Sequence, residues 1–461
     1  MSIEKQAVLM IHGIGNQRPM ETLWSFVETV WSDHKAIHNE FAGSHVWSKP
    51  DYVSNNFELR RLTTPQNSAG IKTDFFEFYW AHLMHGTGYG HLIGWLISLL
   101  WRKPSSVPPG LISAFYTLWI IVGIAVGGWV FMIGEGLANP DGPGLLERLP
   151  YWVAVILTIA GTLAVAVLGF LMKEVVGDAA RYLRPAAQNI QRRQEIRTAG
   201  VDILKQLHDR GYDRIILVGH SLGSVIGYDI LSHAFHTYNV PTKAAGEAHT
   251  AHDAMEKIAQ DASDGNAADI DAVQQAQRGY FNEFTDPETI NGRWRVTDFI
   301  TLGSPLAHAS VLLAHDDASL AQKVTLREYP SCLPSLEQKI RTTDALNRHF
   351  SYGPMPSKTN DKEVKIPHHA ALFSMTRWTN LYFPCKAILF GDLIGGPIST
   401  TLGREIRNMP VGTKIRNGFL THRFYWKATD WRPEANDTRQ ETVTALRDVL
   451  DLVDKKSFKS L

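Results

Sequence analysis

The segment RIILVGHSLGSVIGYDILSHAFH, residues 214–236, decides the fold class of this 461-residue chain. Its first five residues are a short β-branched run typical of a buried strand, and residues 224–236 predict a helix. The residues GHSLG at 219–223 join the two and fit the pattern G-x-S-x-G, which places a serine on a sharp strand-to-helix turn. We therefore expect Ser221 to be a nucleophile. The Leu222 N–H, at the helix N-terminus, is expected to stabilise an oxyanion.

Strand and helix signals alternate along the rest of the chain. Buried strands are predicted at residues 7–11, 74–80, 295–302 and 386–390, and helices at 22–31 and 188–210. This alternation implies an α/β fold with a doubly wound, mainly parallel sheet. Residues 241–290 hold few large apolar side chains, so we predict an insertion there, either a mobile helical cap or a partly disordered segment.

Two of these motifs carry a family resemblance. GHSLG resembles the nucleophile elbow of α/β-hydrolase lipases and esterases, and AVLMIHGIGNQ at residues 7–17 resembles the His-Gly oxyanion loop of the same superfamily. The resemblance implies the α/β-hydrolase fold and a second oxyanion donor just after the first strand, at Ile14 or Gly15. The residues that support the two motifs are His12, Gly13, Gly219, His220 and Gly223.

A serine hydroxyl needs a base, and the base needs an orienting carboxylate. The superfamily places them in the order Ser, acid, His. Asp392 follows the predicted strand 386–390 in a glycine-rich loop, which is where the superfamily keeps its acid. His422 is the last histidine of the chain, and the segment FLTHRFYW at 419–426 resembles the His-x-x-Tyr-Trp segment of some lipase-like members. We therefore expect Asp392 and His422 to complete a triad with Ser221.

Several rival residues are less favoured. Asp298 lies within a predicted strand, and neither Asp344 nor Asp430 directly follows one. His368 and His369 precede Asp392 and so violate the chain order.

Two uncharged segments, 111–133 and 151–172, each exceed the roughly 20 residues that cross about 30 Å of hydrocarbon. They predict a transmembrane hairpin inserted into the fold. The alternative is a pair of buried core helices. Basic residues precede the first span and follow the second, and the connection between the spans is mainly acidic. The positive-inside rule therefore places both termini and the catalytic domain on the cytoplasmic side. Residues 91–101 either lie along the membrane surface or pack in the core.

The predicted domain organisation follows from these assignments. Residues 1–90 carry the first strand and oxyanion loop, and 91–175 form the membrane insertion. Residues 176–240 hold the elbow, 241–290 the cap or flexible insertion, and 291–461 the acid and base.

The resemblance implies a serine hydrolase that cleaves carboxylic esters, with a lipidic substrate suggested by the membrane hairpin. Two alternatives stay open: an acyltransferase or thioesterase with the same triad, and a catalytically silent membrane scaffold. No metal or organic cofactor is implied, and the oligomeric state is left undetermined. Lys+Arg and Asp+Glu both number 46, which gives no support for a nucleic-acid partner. Two cysteines suggest neither a zinc site nor a disulfide framework.

Overall fold

The computed structural model describes most of the chain outside residues 85–186. The described ranges are 4–13, 18–34, 37–38, 44–84, 187–240, 250–288, 290–339, 347–356, 363–385, 391–392, 394–412, 419–426 and 435–453, with isolated residues between 103 and 123 and at 182. The chain divides into two compact units, Met1–Leu83 with Ile190–Leu461, and Met84–Asn189.

The first unit is built on one large sheet. Its described strands, in chain order, are β1 (Lys5–Ile11), β2 (Trp47–Pro50), β3 (Arg60–Gln66), β4 (Lys72–Phe78), β5 (Arg214–His220), β6 (Val296–Leu302), β11 (Arg377–Tyr382) and β12 (Arg407–Pro410). Two small antiparallel pairs lie apart from it: β7 (Glu337–Lys339) with β8 (Asn347–His349), and β9 (Ser351–Pro356) with β10 (Glu363–Pro367).

The strand order across the sheet is β12-β11-β6-β5-β1-β4-β3-β2. Neighbours from β12 to β4 run parallel, and β3 is antiparallel to both β4 and β2. From β1 the chain passes to β2 at one edge and returns through β3 to β4 beside β1, whereas from β5 it proceeds through β6 and β11 to β12 at the other edge. The carboxyl ends of the adjacent strands β1 and β5 therefore flank the point where the winding direction reverses, which is where open α/β sheets form a binding crevice.

Helices cover both faces of the sheet. The described α-helices are α1 (Glu21–Val27), α2 (Ala187–Asp209), α3 (Leu222–Tyr238), α4 (Thr250–Ser263), α5 (Ile270–Thr285), α6 (Ala309–Leu312), α7 (Asp317–Thr325), α8 (Ser399–Leu402) and α9 (Ala435–Leu450). Successive strand residues point to opposite faces. Val8 and Met10 join the core cluster with Phe26 of α1 and Leu446 of α9.

The opposite face packs against α3. A Cβ added at Gly227 of α3 would lie 2.7 Å from the Leu217 side chain and 3.1 Å from that of Phe299. Because β5 is buried at every position, its apolar run has no solvent face, as the sequence predicted for a central parallel strand. The predicted α/β class with a large, mainly parallel sheet is confirmed.

Most of the described part of the 241–290 segment is helical, as α4 and α5. Its α5 carries buried Val273 and Tyr280, and Gln277 donates to the Phe373 carbonyl at 2.6 Å. This helix packs beside β11, so it contributes to the layer that covers the sheet.

The predicted membrane spans, 111–133 and 151–172, lie almost wholly outside the described residues. The residues that are described within the first, such as Tyr116 and Ile120, are helical. No helix in the described ranges is both long enough and apolar enough to cross a membrane.

Candidate active site

The turn between β5 and α3 isolates Ser221. The strand ends at His220 and the helix begins at Leu222, so Ser221 alone makes the turn, with φ 52° and ψ −128°. A non-glycine residue rarely adopts such angles, and backbone strain of this kind concentrates at functional sites. The Ser221 N–H donates to the Leu302 carbonyl at 2.9 Å, which ties the turn to the end of β6.

Close approach of the backbone explains the motif glycines. A Cβ on Gly223 would lie 2.3 Å from the Ile11 carbonyl oxygen, and one on Gly219 would lie 2.5 Å from Ser224 Cα. A Cβ on Gly13 would lie 2.8 Å from Ser221 Cβ. The turn after β1 therefore lies directly against Ser221, as expected for an oxyanion loop. The predicted donors Ile14 and Gly15 lie outside the described residues.

His12 holds the turn after β1 in place. Its ring stacks on Trp80 with centroids 5.1 Å apart, and its Nδ1 lies 2.8 Å from the Gly13 carbonyl oxygen. The Trp80 backbone N–H donates to His12 Nε2, so Nδ1 carries the hydrogen and donates to the Gly13 carbonyl. Complete burial lowers the pKa of His12 to about 4, against a smaller opposing effect from the Gly13 bond. The ring is therefore neutral and positions the turn.

Asp392 and His422 form a directly bonded pair. His422 Nδ1 lies 2.8 Å from Asp392 Oδ2, and the carboxylate is fully buried. Asp392 Oδ1 accepts from the Ile394 N–H at 2.9 Å. With its hydrogen on Nδ1, the neutral ring keeps the lone pair on Nε2. That atom is buried and has no hydrogen-bond partner among the described residues.

The electrostatics of Asp392 favour its ionised form. Burial by itself raises the pKa of the carboxyl, but the His422 charge outweighs this effect together with hydrogen bonds from His422, the Gly395 backbone and Tyr425. The net result is a pKa lowered to about 2. Asp392 is therefore a carboxylate at neutral pH and can orient the imidazole.

Two contacts bring His422 beside the serine turn. Gly303, with φ +57°, directly follows β6, and a Cβ there would lie 3.0 Å from His422 Nδ1 and 2.7 Å from Asp392 Oδ2. His220 Nε2 donates to the His422 carbonyl oxygen at 2.9 Å. Since Ser221 is bonded to Leu302 on one side and adjoins His220 on the other, the acid–base pair and the serine occupy the same edge of the sheet.

A backbone hydrogen bond holds Asp392 near the end of a described strand. The predicted strand 386–390 lies outside the described residues. The strand beside Asp392 is β11, and the Asp392 N–H bonds to the Phe383 carbonyl at 3.4 Å, just past the end of that strand.

The rival residues have other partners. Asp298 lies between Arg214 and Arg377, at 2.7 and 2.6 Å, in a buried network near the amino end of β6. It lies four positions before the end of the strand, roughly 13 Å at strand spacing. His368 bonds to the Ser335 carbonyl and His369 to that of Arg327. Asp344 and Asp430 lie outside the described residues.

Sequence reasoning missed Gly303, Ser304 and the bond from Tyr425. The run Gly303-Ser304-Pro305 directly follows a predicted strand, which is a recognisable turn signal at the carboxyl edge of a sheet. The sequence indicates Tyr425 only as part of the segment FLTHRFYW, yet its hydroxyl donates to Asp392 Oδ2 at 2.8 Å.

One group of side chains in the described ranges could present metal-binding atoms, namely His252, Asp253 and Glu256, whose ligand atoms lie within 4.8 Å of one another. Both carboxylates already have partners. Asp253 pairs with Lys365 at 2.5 Å, and Glu256 accepts from Ser351 at 2.6 Å. These contacts make the group a polar cluster that joins α4 to strands β9 and β10.

No protein-family model, curated protein or solved structure matches this chain.

Proposed function

We propose that this protein is a serine hydrolase of the α/β-hydrolase type that cleaves carboxylic esters through an acyl-enzyme on Ser221. One observation carries the proposal: a serine in a positive-φ turn lies at the same sheet edge as an imidazole whose Nδ1 is paired with a buried carboxylate. That combination supplies a nucleophile, a base in the productive tautomer and an orienting acid.

The reaction follows from these groups. Ser221 Oγ attacks the ester carbonyl carbon while its proton moves to His422 Nε2. The negative charge that develops on the carbonyl oxygen is stabilised by the Leu222 N–H, which as the first residue of α3 has no carbonyl one turn earlier in the helix. The imidazolium, held by Asp392, returns the proton to the departing alkoxide. Water then attacks the acyl-enzyme by the same route and releases the carboxylic acid.

We further propose a lipidic substrate and anchoring by a hairpin at residues 111–133 and 151–172, with the catalytic unit on the cytoplasmic side. The support is the sequence of the two segments and of their flanks. A hydrolase anchored in the bilayer encounters esters within the bilayer more often than it encounters water-soluble esters. Turnover of a glycerolipid ester in vesicles should therefore exceed turnover of the same acyl group on a water-soluble alcohol.

Fluorophosphonate labelling tests the proposed chemistry. The full-length protein should become phosphonylated at Ser221 and lose its esterase activity in parallel, whereas Ser221→Ala should remain unlabelled. Ser232→Ala is the matched control, because Ser232 lies in the same helix and its hydroxyl bonds to the Tyr228 carbonyl. Absence of labelling in the folded wild-type protein would contradict the proposal.

A further inference from the structure

A chain of buried hydroxyls lies beneath the serine turn. Ser224 Oγ is 2.5 Å from the Ser221 carbonyl oxygen and 2.6 Å from Ser304 Oγ. Ser304 Oγ in turn accepts from the Leu306 N–H at 3.2 Å. Both Ser224 and Ser304 are fully buried, so water does not compete for these bonds.

The direction of the hydrogens follows from the acceptor at the end of the chain. A carbonyl oxygen can only accept, so the single hydroxyl hydrogen of Ser224 is donated to Ser221. Ser304 must then donate its hydrogen to Ser224 Oγ. The chain therefore runs in one direction, from the loop after β6 to the carbonyl of the nucleophile, and each bond polarises the next.

The carbonyl that receives this chain belongs to the peptide that carries the oxyanion donor. A peptide unit is planar and its C=O and N–H point in opposite directions. Holding the Ser221 carbonyl from below therefore fixes the direction of the Leu222 N–H above. The Ser224 N–H adds a second bond to the same carbonyl at 3.0 Å.

We propose that Ser224, supported by Ser304, is a positioning residue that aims and polarises the Leu222 N–H for oxyanion stabilisation. This inference rests on the proposed function. It assigns a role in the transition state to two hydroxyls that never touch the substrate. Such interactions raise kcat and leave KM nearly unchanged, because the charge they serve develops only during reaction.

The experiment compares Ser224→Ala, Ser304→Ala and the double variant on one soluble ester. Removing an oxyanion donor outright costs about 10²–10³-fold in kcat, so misaligning one should cost less, about tenfold. A trifluoromethyl ketone, which forms a tetrahedral adduct with a serine, should bind Ser224→Ala more weakly by the same factor. In the Ser224→Ala background, Ser304→Ala should cause no further loss of kcat, because both hydroxyls act through the hydrogen bond from Ser224 to the Ser221 carbonyl.

Ser232→Ala is again the matched control. Its hydroxyl also returns to a carbonyl one turn earlier in α3, at 2.7 Å, but lies far along the helix from the turn. It should keep wild-type kcat and ketone affinity. If a fluorophosphonate-reactive wild type and a folded Ser224→Ala share the same kcat and ketone affinity, this inference fails and the proposed function stands. If Ser224→Ala does not fold, a folded Ser304→Ala with wild-type kcat and wild-type ketone affinity overturns the inference equally.

Discussion

The hydroxyl of Tyr425 donates to Asp392 Oδ2 at 2.8 Å, the same oxygen that receives the hydrogen of His422 Nδ1. Tyr425 is fully buried, and its oxygen also accepts from the Phe383 N–H at 3.2 Å just past β11. One carboxylate oxygen therefore serves two donors. The hydrogen bond from Tyr425 stabilises the ionised carboxyl. It therefore weakens the electrostatic stabilisation that Asp392 gives to a charged imidazole.

Tyr425→Phe should shift the pH profile of kcat/KM. Loss of the hydroxyl removes one of the hydrogen bonds that lower the pKa of Asp392, so the Asp392 carboxylate becomes more basic and a stronger acceptor for the His422 Nδ1 hydrogen. We expect the acid limb to move upward by roughly 0.5 pH unit, equivalent to about 0.7 kcal/mol. Tyr228→Phe is the matched control, since that buried hydroxyl bonds to the Pro330 carbonyl. An unchanged acid limb in a folded Tyr425→Phe enzyme would contradict this role.

Ser221 and His422 should behave as one catalytic unit. Ser221→Ala and His422→Ala should each lower kcat/KM by about 10⁴-fold or more, and the double variant should be little worse than either. The measurement is steady-state hydrolysis of one p-nitrophenyl ester, with circular dichroism to confirm folding. His369→Ala should retain most activity, because its ring bonds to the Arg327 carbonyl. Multiplicative losses in the double variant would show that the two residues act separately.

Asp392→Asn should severely lower activity but leave the nucleophile in place. The amide favours the wrong imidazole tautomer, so kcat should fall on the order of 10³–10⁴-fold. Asp298→Asn provides the contrast: it should lower stability by breaking the pairs with Arg214 and Arg377, and the folded fraction should keep its kcat. The assignment of the acid is wrong if Asp392→Asn turns over ester at the wild-type rate.

Glu77 should make stability depend on pH near neutrality. Its Oε2 accepts from the Met20 N–H at 2.7 Å, and its Oε1 has no hydrogen-bond partner among the described residues. Burial raises its pKa to about 7, well above the unfolded value of about 4.3. The folded protein therefore binds more protons between those values, so this group lowers stability as pH rises through them, and the loss levels off above pH 7.

Glu77→Gln removes that charge and keeps an acceptor for the Met20 N–H. The variant should exceed the wild type in free energy of unfolding by on the order of 1–3 kcal/mol at pH 8, with a smaller difference at pH 5. Urea denaturation at the two pH values measures both. A difference that is equal at pH 5 and pH 8 would mean that Glu77 does not titrate in this range.

The proposed hairpin predicts a defined labelling pattern. In a background without Cys332 and Cys385, Asp141→Cys should react with an impermeant maleimide from the non-cytoplasmic side. Arg102→Cys should react only after the membrane is permeabilised. The reason is the basic flank before the first span and the acidic connection between the two. Labelling of position 102 from the non-cytoplasmic side would reverse the proposed topology.

The sequence by itself determined the central strands and the serine turn, because the signals involved are local. Residues 215–218 are apolar throughout, and Gly219 answers a steric demand within the motif itself, because a Cβ there would lie 2.5 Å from Ser224 Cα. By contrast, β11 was not predicted from RWTNLY. Its polar side chains can be buried because they have polar partners on other strands and loops. Arg377 forms an ion pair with Asp298, and Asn380 forms hydrogen bonds with Thr301 and Asn408.

Only the tertiary structure decided how the acid, base and serine are arranged. Chain order selected Asp392 and His422 as candidates, but their bond spans 30 residues, and the His220–His422 bond spans 202. The hydroxyl chain from Ser304 to Ser224 spans 80. Contacts between residues so far apart are set by how strands and helices pack, and neither periodicity nor motif spacing encodes that. The sequence thus supplied the reactive groups, and packing at the carboxyl edge of the sheet supplied their geometry.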